Sequence, residues 1–202
     1  MKKLVLAVAL SVACTSVMAN TKNTYDYVDL AYTSVDMKEV DLTFTGVGID
    51  ASKLVTDNVY VSGSWFSVEN SDTFPGAVYD LNLSYLAVAV GYRQEIAAST
   101  DFYAQAGYAR QKTDEKIAFN NQLVSESDST SGYQLKAGLK HSFGNFEGGV
   151  FVERMDGSDD VESTTYLGVD GRYAFTDDFH GVVGYSKDSD VGIFKLGVSY
   201  AY

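Results

Sequence analysis

The sequence predicts an all-β protein: an antiparallel up-and-down transmembrane β-barrel of about ten strands, with eight strands as the alternative count. Three observations favour this class. Apolar and polar residues alternate at period two along most of the chain. Charged residues recur on the faces opposite the apolar ones, and they are too many for the dry core of a secreted β-sandwich. A leader of the secretory type precedes the first strand.

The leader has two lysines, an apolar run that ends at Ala13, and small residues up to Ala19. That run is shorter than the roughly 20 residues that a membrane-spanning helix needs. We therefore expect residues 1–19 to be a cleaved signal peptide and residues 20–202 to form one outer-membrane β-barrel domain. Cys14 raises the alternative of a lipoprotein signal, but the residues before it lack the usual large aliphatic side chain. Cleavage after Ala19 would leave no cysteine for disulfide or thiol chemistry.

The composition excludes two classes of partner. The formal net charge is −12, which disfavours binding to nucleic acid and adsorption to anionic lipid. The 15 tyrosines, 11 phenylalanines and single proline are typical of a β-rich chain with aromatic side chains at membrane interfaces.

The first five strands are predicted from alternation between turn-forming segments. They are Tyr25–Thr33, Val40–Leu54, a strand from Val59, Tyr79–Arg93 and Phe102–Gln111. Their apolar faces are Val28, Leu30 and Tyr32; Val40, Leu42 and Phe44; Val59, Val61 and Trp65; Tyr79, Leu81, Leu83, Tyr85, Ala87 and Ala89; and Ala104, Ala106 and Tyr108. We expect these faces to contact lipid, although the far half of the second strand is ambiguous.

The last five strands show the same alternation. They are Gly132–Phe143, Phe146–Met155, Thr164–Phe175, Phe179–Lys187 and Val191–Tyr202. Their predicted lipid faces are Tyr133, Leu135, Ala137 and Leu139; Phe146, Val150 and Val152; Thr165, Leu167, Val169 and Tyr173; Phe179, Val183 and Tyr185; and Phe194 onward at every second residue.

The connections fall into two classes. Short turns follow the even-numbered strands, whereas longer polar loops are expected at residues 69–78, 112–131 and 156–163. Short periplasmic turns and longer external loops are typical of outer-membrane barrels. With an even strand count, both ends of the barrel domain would lie on the periplasmic side.

The charges on the polar faces are predicted to line the lumen. They are Asp29, Lys136, Glu153, Asp170, Arg172 and Lys195. A two-residue turn at Gly144-Asn145 would place Lys136 opposite Glu153, a pair worth roughly 0.2–1 kcal/mol. We interpret these charges as mutually satisfied in a filled lumen, because small barrels are usually filled by side chains. The alternative is a conducting pore that they line.

The closing strand carries a resemblance to a known family. Phe194, Leu196, Val198, Tyr200 and Tyr202 alternate to the final aromatic residue. With the leader and the repeated hairpins, this pattern resembles the small bacterial outer-membrane barrels grouped with OmpA, OmpX and Ail. The resemblance implies that these five residues form the signal read by the barrel-assembly machinery, where phenylalanine is the usual last residue. It implies a location and an architecture, not an activity.

Candidate chemistry is sparse. His141 and Ser142 are adjacent, so on a strand they point to opposite faces and cannot form a Ser–His pair; we expect no enzymatic activity. An acidic loop could hold a divalent cation, although solvated loop charge is the simpler interpretation. The carboxylates of this loop are Asp156, Asp159, Asp160 and Glu162. No other cofactor is indicated.

We therefore expect an integral outer-membrane barrel with a structural or surface-interaction role through acidic external loops. The alternative is a narrow porin-like channel for small solutes. The expected partners are outer-membrane lipid and lipopolysaccharide, and the barrel-assembly machinery during biogenesis. Nucleic acid is not expected, and no residue pattern identifies an extracellular partner.

Overall fold

A computed structural model of the chain describes residues 23–74, 77–119, 122–157 and 163–202. Ten antiparallel strands form one closed barrel in which each strand pairs with its neighbours in sequence. The strands are β1 (Tyr27–Met37), β2 (Leu42–Leu54), β3 (Val59–Phe74), β4 (Ala77–Ala97), β5 (Thr100–Phe119), β6 (Gln122–Ser142), β7 (Phe146–Gly157), β8 (Thr164–Ala174), β9 (Phe179–Lys187) and β10 (Val191–Ala201). The predicted class and the count of ten, rather than eight, are confirmed. The predicted signal peptide lies outside the described residues.

The barrel closes where β10 pairs with β1. The register runs from Tyr27 opposite Ala201 to Met37 opposite Val191. This pairing closes the barrel and leaves neither terminal strand with a free edge inside the membrane.

Strands β3 to β6 are much longer than the others. They contain 16, 21, 20 and 21 residues, against 9 to 13 in the remaining strands. Since about 9–11 residues span a bilayer as a tilted strand, these four project well beyond it. We call residues 70–74, 77–82, 113–119 and 122–131 the extension, the barrel end that carries it the extension end, and the opposite end the turn end.

The extension corrects the prediction of loops at residues 69–78 and 112–131. Among the described residues, strand pairing continues through both, as in Thr73 opposite Val78 and Lys112 opposite Ser129. The composition of these segments resembles that of a loop because water contacts both faces of the sheet there. Polar residues therefore stand at the positions that are apolar in the membrane-spanning part of each strand.

The outward faces agree with the alternation for most strands. On β1 and on β5 to β10 the predicted apolar residues point away from the lumen; examples are Leu30, 55% exposed, and Leu167, 65% exposed. Trp65 on β3 also points outward and is 38% exposed. These side chains form the apolar belt that lipid covers.

The predicted lipid face of β4 is wrong. Leu83 and Tyr85 are buried in the lumen at 6% and 8% exposure, whereas Leu86 and Val88 point outward at 47% and 54%. Both faces of this strand are apolar, so period two alone could not choose between them. On β2, likewise, Phe44 is fully buried inside the barrel.

The turn end has compact connections with repeated chemistry. In the turns after β2 and β8, the threonine hydroxyls of Thr56 and Thr176 accept hydrogen bonds from the backbone N–H groups of Val59 and Phe179, each at 3.0 Å. After β6, Gly144 has φ of 87°, a conformation that suits glycine in a two-residue hairpin turn. The first described residue, Asn23, and the last residue, Tyr202, lie at this same end.

Candidate functional site

The lumen holds the candidate site, a cavity of about 300 Å³ that runs from Tyr25 at the turn end to Met37 and Val191 at the extension end. Five carboxylates and four basic side chains line it. All the predicted lumen charges are among them: Asp29, Lys136, Glu153, Asp170, Arg172 and Lys195.

A buried ion pair with two hydrogen bonds joins β8 to β1. Arg172 donates from its two terminal nitrogens to the two oxygens of Asp29, each at 3.0 Å. Arg172 also donates to the hydroxyl of Ser199, and its Nε lies 4.0 Å from Glu147. This fork-to-fork geometry is the strong form of an ion pair.

Two further pairs lie in the middle of the lumen. Lys136 is opposite Glu153 in the register that the turn after β6 predicts, with Nζ 3.5 Å from the carboxylate. Gln134 donates to the same carboxylate at 2.6 Å. Lys195 reaches across to Asp50 on β2, at 2.7 Å.

The turn end of the lumen is closed by aromatic side chains. Tyr25, Tyr60 and Tyr103 are 3–4% exposed and form one cluster, with Lys140 4.8 Å from the ring centre of Tyr25. The backbone N–H of Thr24 donates to Glu147, which also pairs with Lys140 at 3.1 Å. The first described residues therefore occupy the mouth of the lumen at the turn end, the end that the sequence predicts to face the periplasm.

The extension end of the lumen is apolar. Val35, Phe44, Val68 and Leu83 form a buried cluster there. Partly buried side chains packed against it are Met37, Leu42, Phe66, Leu81, Val191 and Ile193. The lumen is thus divided along its axis, with an ionic half and an apolar half.

The closing strand presents its aromatic and aliphatic residues outward. Phe194, Leu196, Val198, Tyr200 and Tyr202 are 36–58% exposed on the lipid side. Tyr200 packs against Phe179 and Tyr202, which forms part of an aromatic girdle at the turn end. Recognition by the assembly machinery stays a prediction.

Asp156, predicted to lie in the acidic loop, is instead a residue of β7 opposite Tyr133. Asp156 accepts a hydrogen bond from the Tyr133 hydroxyl at 2.6 Å and lies 3.7 Å from Arg154. Asp159, Asp160 and Glu162 lie outside the described residues. Within the described ranges, no three His, Cys, Asp or Glu side chains are grouped closely enough to hold a metal ion.

His141 and Ser142 occupy different environments. His141 packs against Phe143 and hydrogen-bonds to the Thr100 hydroxyl at 2.7 Å, while Ser142 is buried. In the part of the chain that the structure describes, no helix is both long and apolar enough to cross a membrane.

Sequence reasoning missed Asp50 and the lumen tyrosines. Asp50 lies on the same face of β2 as Gly46 and Gly48. The alternate residues Val47 and Ile49 lie on the other face and are 52% and 42% exposed. That alternation could have placed Asp50 inward. The tyrosines gave no such signal, because aromatic residues occur on both faces of these strands.

Comparisons with known proteins agree with this architecture. The family model described as outer membrane protein beta-barrel domain matches residues 5–201. The search of curated proteins returned no match.

Three solved structures illustrate the likeness. The outer membrane protease OmpT from Escherichia coli is 8% identical, with coverage of 93% of this chain and 99% of that one and a TM-score of 0.54. The NanC porin is 9% identical, with coverage of 87% and 100% and a TM-score of 0.52. Ail from Yersinia pestis, in complex with the heparin analogue sucrose octasulfate, is 15% identical, with coverage of 87% and 96% and a TM-score of 0.49. At these identities, the likeness to OmpT and to NanC shows the fold alone.

Proposed function

The chain belongs to the outer-membrane β-barrel family and lies in the bacterial outer membrane, and from this premise we propose that it binds partners at the cell surface through its extension. The barrel then serves as an anchor in lipid and lipopolysaccharide. The final strand, Val191–Ala201 followed by Tyr202, supplies the assembly signal.

The observation that carries this proposal is an open strand edge. β6 starts at Gln122, but its pairing with β7 starts only at Gly132 opposite Gly157. Among the described residues, no strand lies along the second side of β6 from 122 to 130. An open edge of this length presents backbone N–H and C=O groups to an incoming strand. The N–H of Ser129 donates to the Asp128 carboxylate at 2.7 Å and would exchange that bond for one to the incoming strand.

The chemistry of the edge selects the partner. Residues 122–131 contain no proline and no lysine, the residues with which proteins commonly block an edge. Glu126 and Asp128 are its only charged residues and both are exposed. Like charges disfavour pairing of two copies of this edge, so we propose an extended basic segment of another molecule as the partner.

A direct test uses the protein in lipid nanodiscs and a peptide of alternating lysine and valine. Strand addition should slow amide hydrogen exchange in residues 122–131. A peptide with proline at alternate positions is the control, because it cannot complete the ladder. Equal protection by both peptides, or none by either, would overturn the proposal.

A shortened variant provides the matched protein control. Replacing residues 114–127 by Asn-Gly joins Thr113 to Asp128, which already face each other. The barrel should still fold, because its membrane-spanning register is untouched, while protection by the alternating peptide should disappear.

A narrow channel is the second candidate, favoured by the charged cavity of about 300 Å³. The tyrosine cluster at the turn end weighs against it. In planar bilayers, a channel would conduct ions and Lys136→Ala would alter its ion selectivity. The anchor role predicts no steady conductance for either protein.

A further inference from the structure

We propose that the lumen binds a single-chain amphiphile with a cationic head group, with the charge on Asp170 and the hydrocarbon chain toward the extension end. This inference is independent of the surface role, since it uses the inside of the barrel rather than the extension.

Asp170 is the one cavity carboxylate that has no basic partner among the described residues. Four of the five cavity carboxylates have a basic partner within 4.0 Å. These pairs are Asp29 with Arg172, Asp50 with Lys195, Glu147 with Lys140 and Glu153 with Lys136. In the described part of the chain, Asp170 has no ion-pair or hydrogen-bond partner, so the cavity has one uncompensated negative charge.

Open space lies beside this carboxylate. Asp170 is flanked in the register by Gly149 on β7 and Gly184 on β9. A Cβ atom added to Gly184 would meet nothing closer than 3.9 Å, and Gly184 itself lines the cavity. The Asp170 carboxylate lies over Gly149, where an added Cβ would come within 2.6 Å of its Oδ1, so the room for a head group is on the Gly184 side.

The hydrocarbon chain would lie in the apolar half. Lys195 shares a register row with Gly184 and Asp170, while Ile193 and Val191 follow on β10 toward the extension end. At about 3.3 Å per residue, the apolar lining reaches roughly 13 Å beyond the row of Asp170. The tyrosine cluster closes the other end, so the chain must point toward the extension end.

The same ion pairs determine that the head group of the ligand must be positively charged. Each lysine and arginine of the cavity is held by a carboxylate, so an anionic amphiphile finds no free basic group. A cation finds Asp170, and transfer of the chain out of water contributes about 0.8 kcal/mol for each buried methylene. The cavity volume of about 300 Å³ is at the lower end of the range for small-molecule sites.

Calorimetric titration of octylammonium into the protein in nanodiscs tests the inference, with empty nanodiscs as the blank. Octylammonium should bind, octanoate should not, and butylammonium should bind more weakly. Asp170→Asn should weaken octylammonium binding about ten- to hundredfold, the range expected for loss of a charged hydrogen-bond partner. Asp178→Asn, in an exposed turn, should leave binding unchanged.

A second variant keeps the charge and removes the space. Gly184→Leu should block octylammonium while Asp170 stays in place, and Trp65 fluorescence checks that this barrel is folded. Equal binding by the wild type, Asp170→Asn and Gly184→Leu would mean partition into the membrane only and would overturn the proposal. So would octanoate binding as tight as that of octylammonium.

Discussion

Substitution of Asp29 by alanine should expose the energetic role of the ionic half of the lumen. Asp29 and Arg172 have side chains 11% and 9% exposed and are joined by two hydrogen bonds of 3.0 Å. Removal of the carboxylate leaves the guanidinium buried with Glu147 at 4.0 Å. Breaking a buried pair on one side costs about 3–5 kcal/mol, and we expect Asp29→Ala to lower the free energy of unfolding by that amount.

The double variant Asp29→Leu/Arg172→Met distinguishes the loss of the ion pair from the cost of burying an unpaired charge. It removes both charges, so it should lose clearly less stability than Asp29→Ala alone. Urea titration in phospholipid vesicles, followed by the fluorescence of the single tryptophan Trp65, measures both. Asp57→Ala, in an exposed turn, is the control and should change stability by less than about 0.5 kcal/mol. A loss below about 1 kcal/mol for Asp29→Ala, or an equal loss for the double variant, would refute the reasoning.

Two further predictions concern tight packing and the extension. The Tyr60 ring lies against Gly91, so Gly91→Ala should lower the free energy of unfolding by about 1–3 kcal/mol in the same urea assay. Gly63→Ala is the control and should cost little, because a Cβ atom at Gly63 would be 3.8 Å from its nearest neighbour. Equal losses of stability in the two variants would contradict this prediction. Lys112 donates to Asp114 at 2.6 and 2.7 Å and holds the pKa of Asp114 below its usual value. The associated stabilisation is present above the unfolded pKa of about 3.9 and is lost as pH falls through the lowered folded value. Lys112→Ala should raise the pKa of Asp114 in a carbon-13 NMR titration, and an unchanged midpoint would exclude the contact.

The sequence predicts the fold well where one face of a strand is apolar and the other is charged. The pairing of Lys136 with Glu153 follows from the two-residue turn at Gly144-Asn145 and the period of two. The orientation of the closing strand is predicted equally well, because Lys195 marks the face of this strand that lines the lumen.

Prediction fails where both faces have the same character. β4 has Leu83 and Tyr85 inside and Leu86 and Val88 outside, so hydrophobicity does not distinguish lumen from lipid. In the extension both faces contact water, and polar residues there resemble a loop. The site itself depends on distances across the lumen, such as Lys195 to Asp50, which are separated by 145 residues. No local pattern encodes such contacts.

Contacts of the residues just before β1 can form only when the sheet is nearly complete, so we expect closure of this barrel to be a late step of assembly. Asn23 hydrogen-bonds to the carbonyl of Lys140, Thr24 to Glu147, and Tyr202 to the carbonyl of Asp26. These contacts join segments at least 117 residues apart in the sequence. The entropy of closing such long loops therefore opposes them until neighbouring strands are in place. A partly assembled sheet would therefore lack both its seam and its filled turn end. Removal of residues 23–25 should slow maturation in the cell more than it weakens the finished barrel.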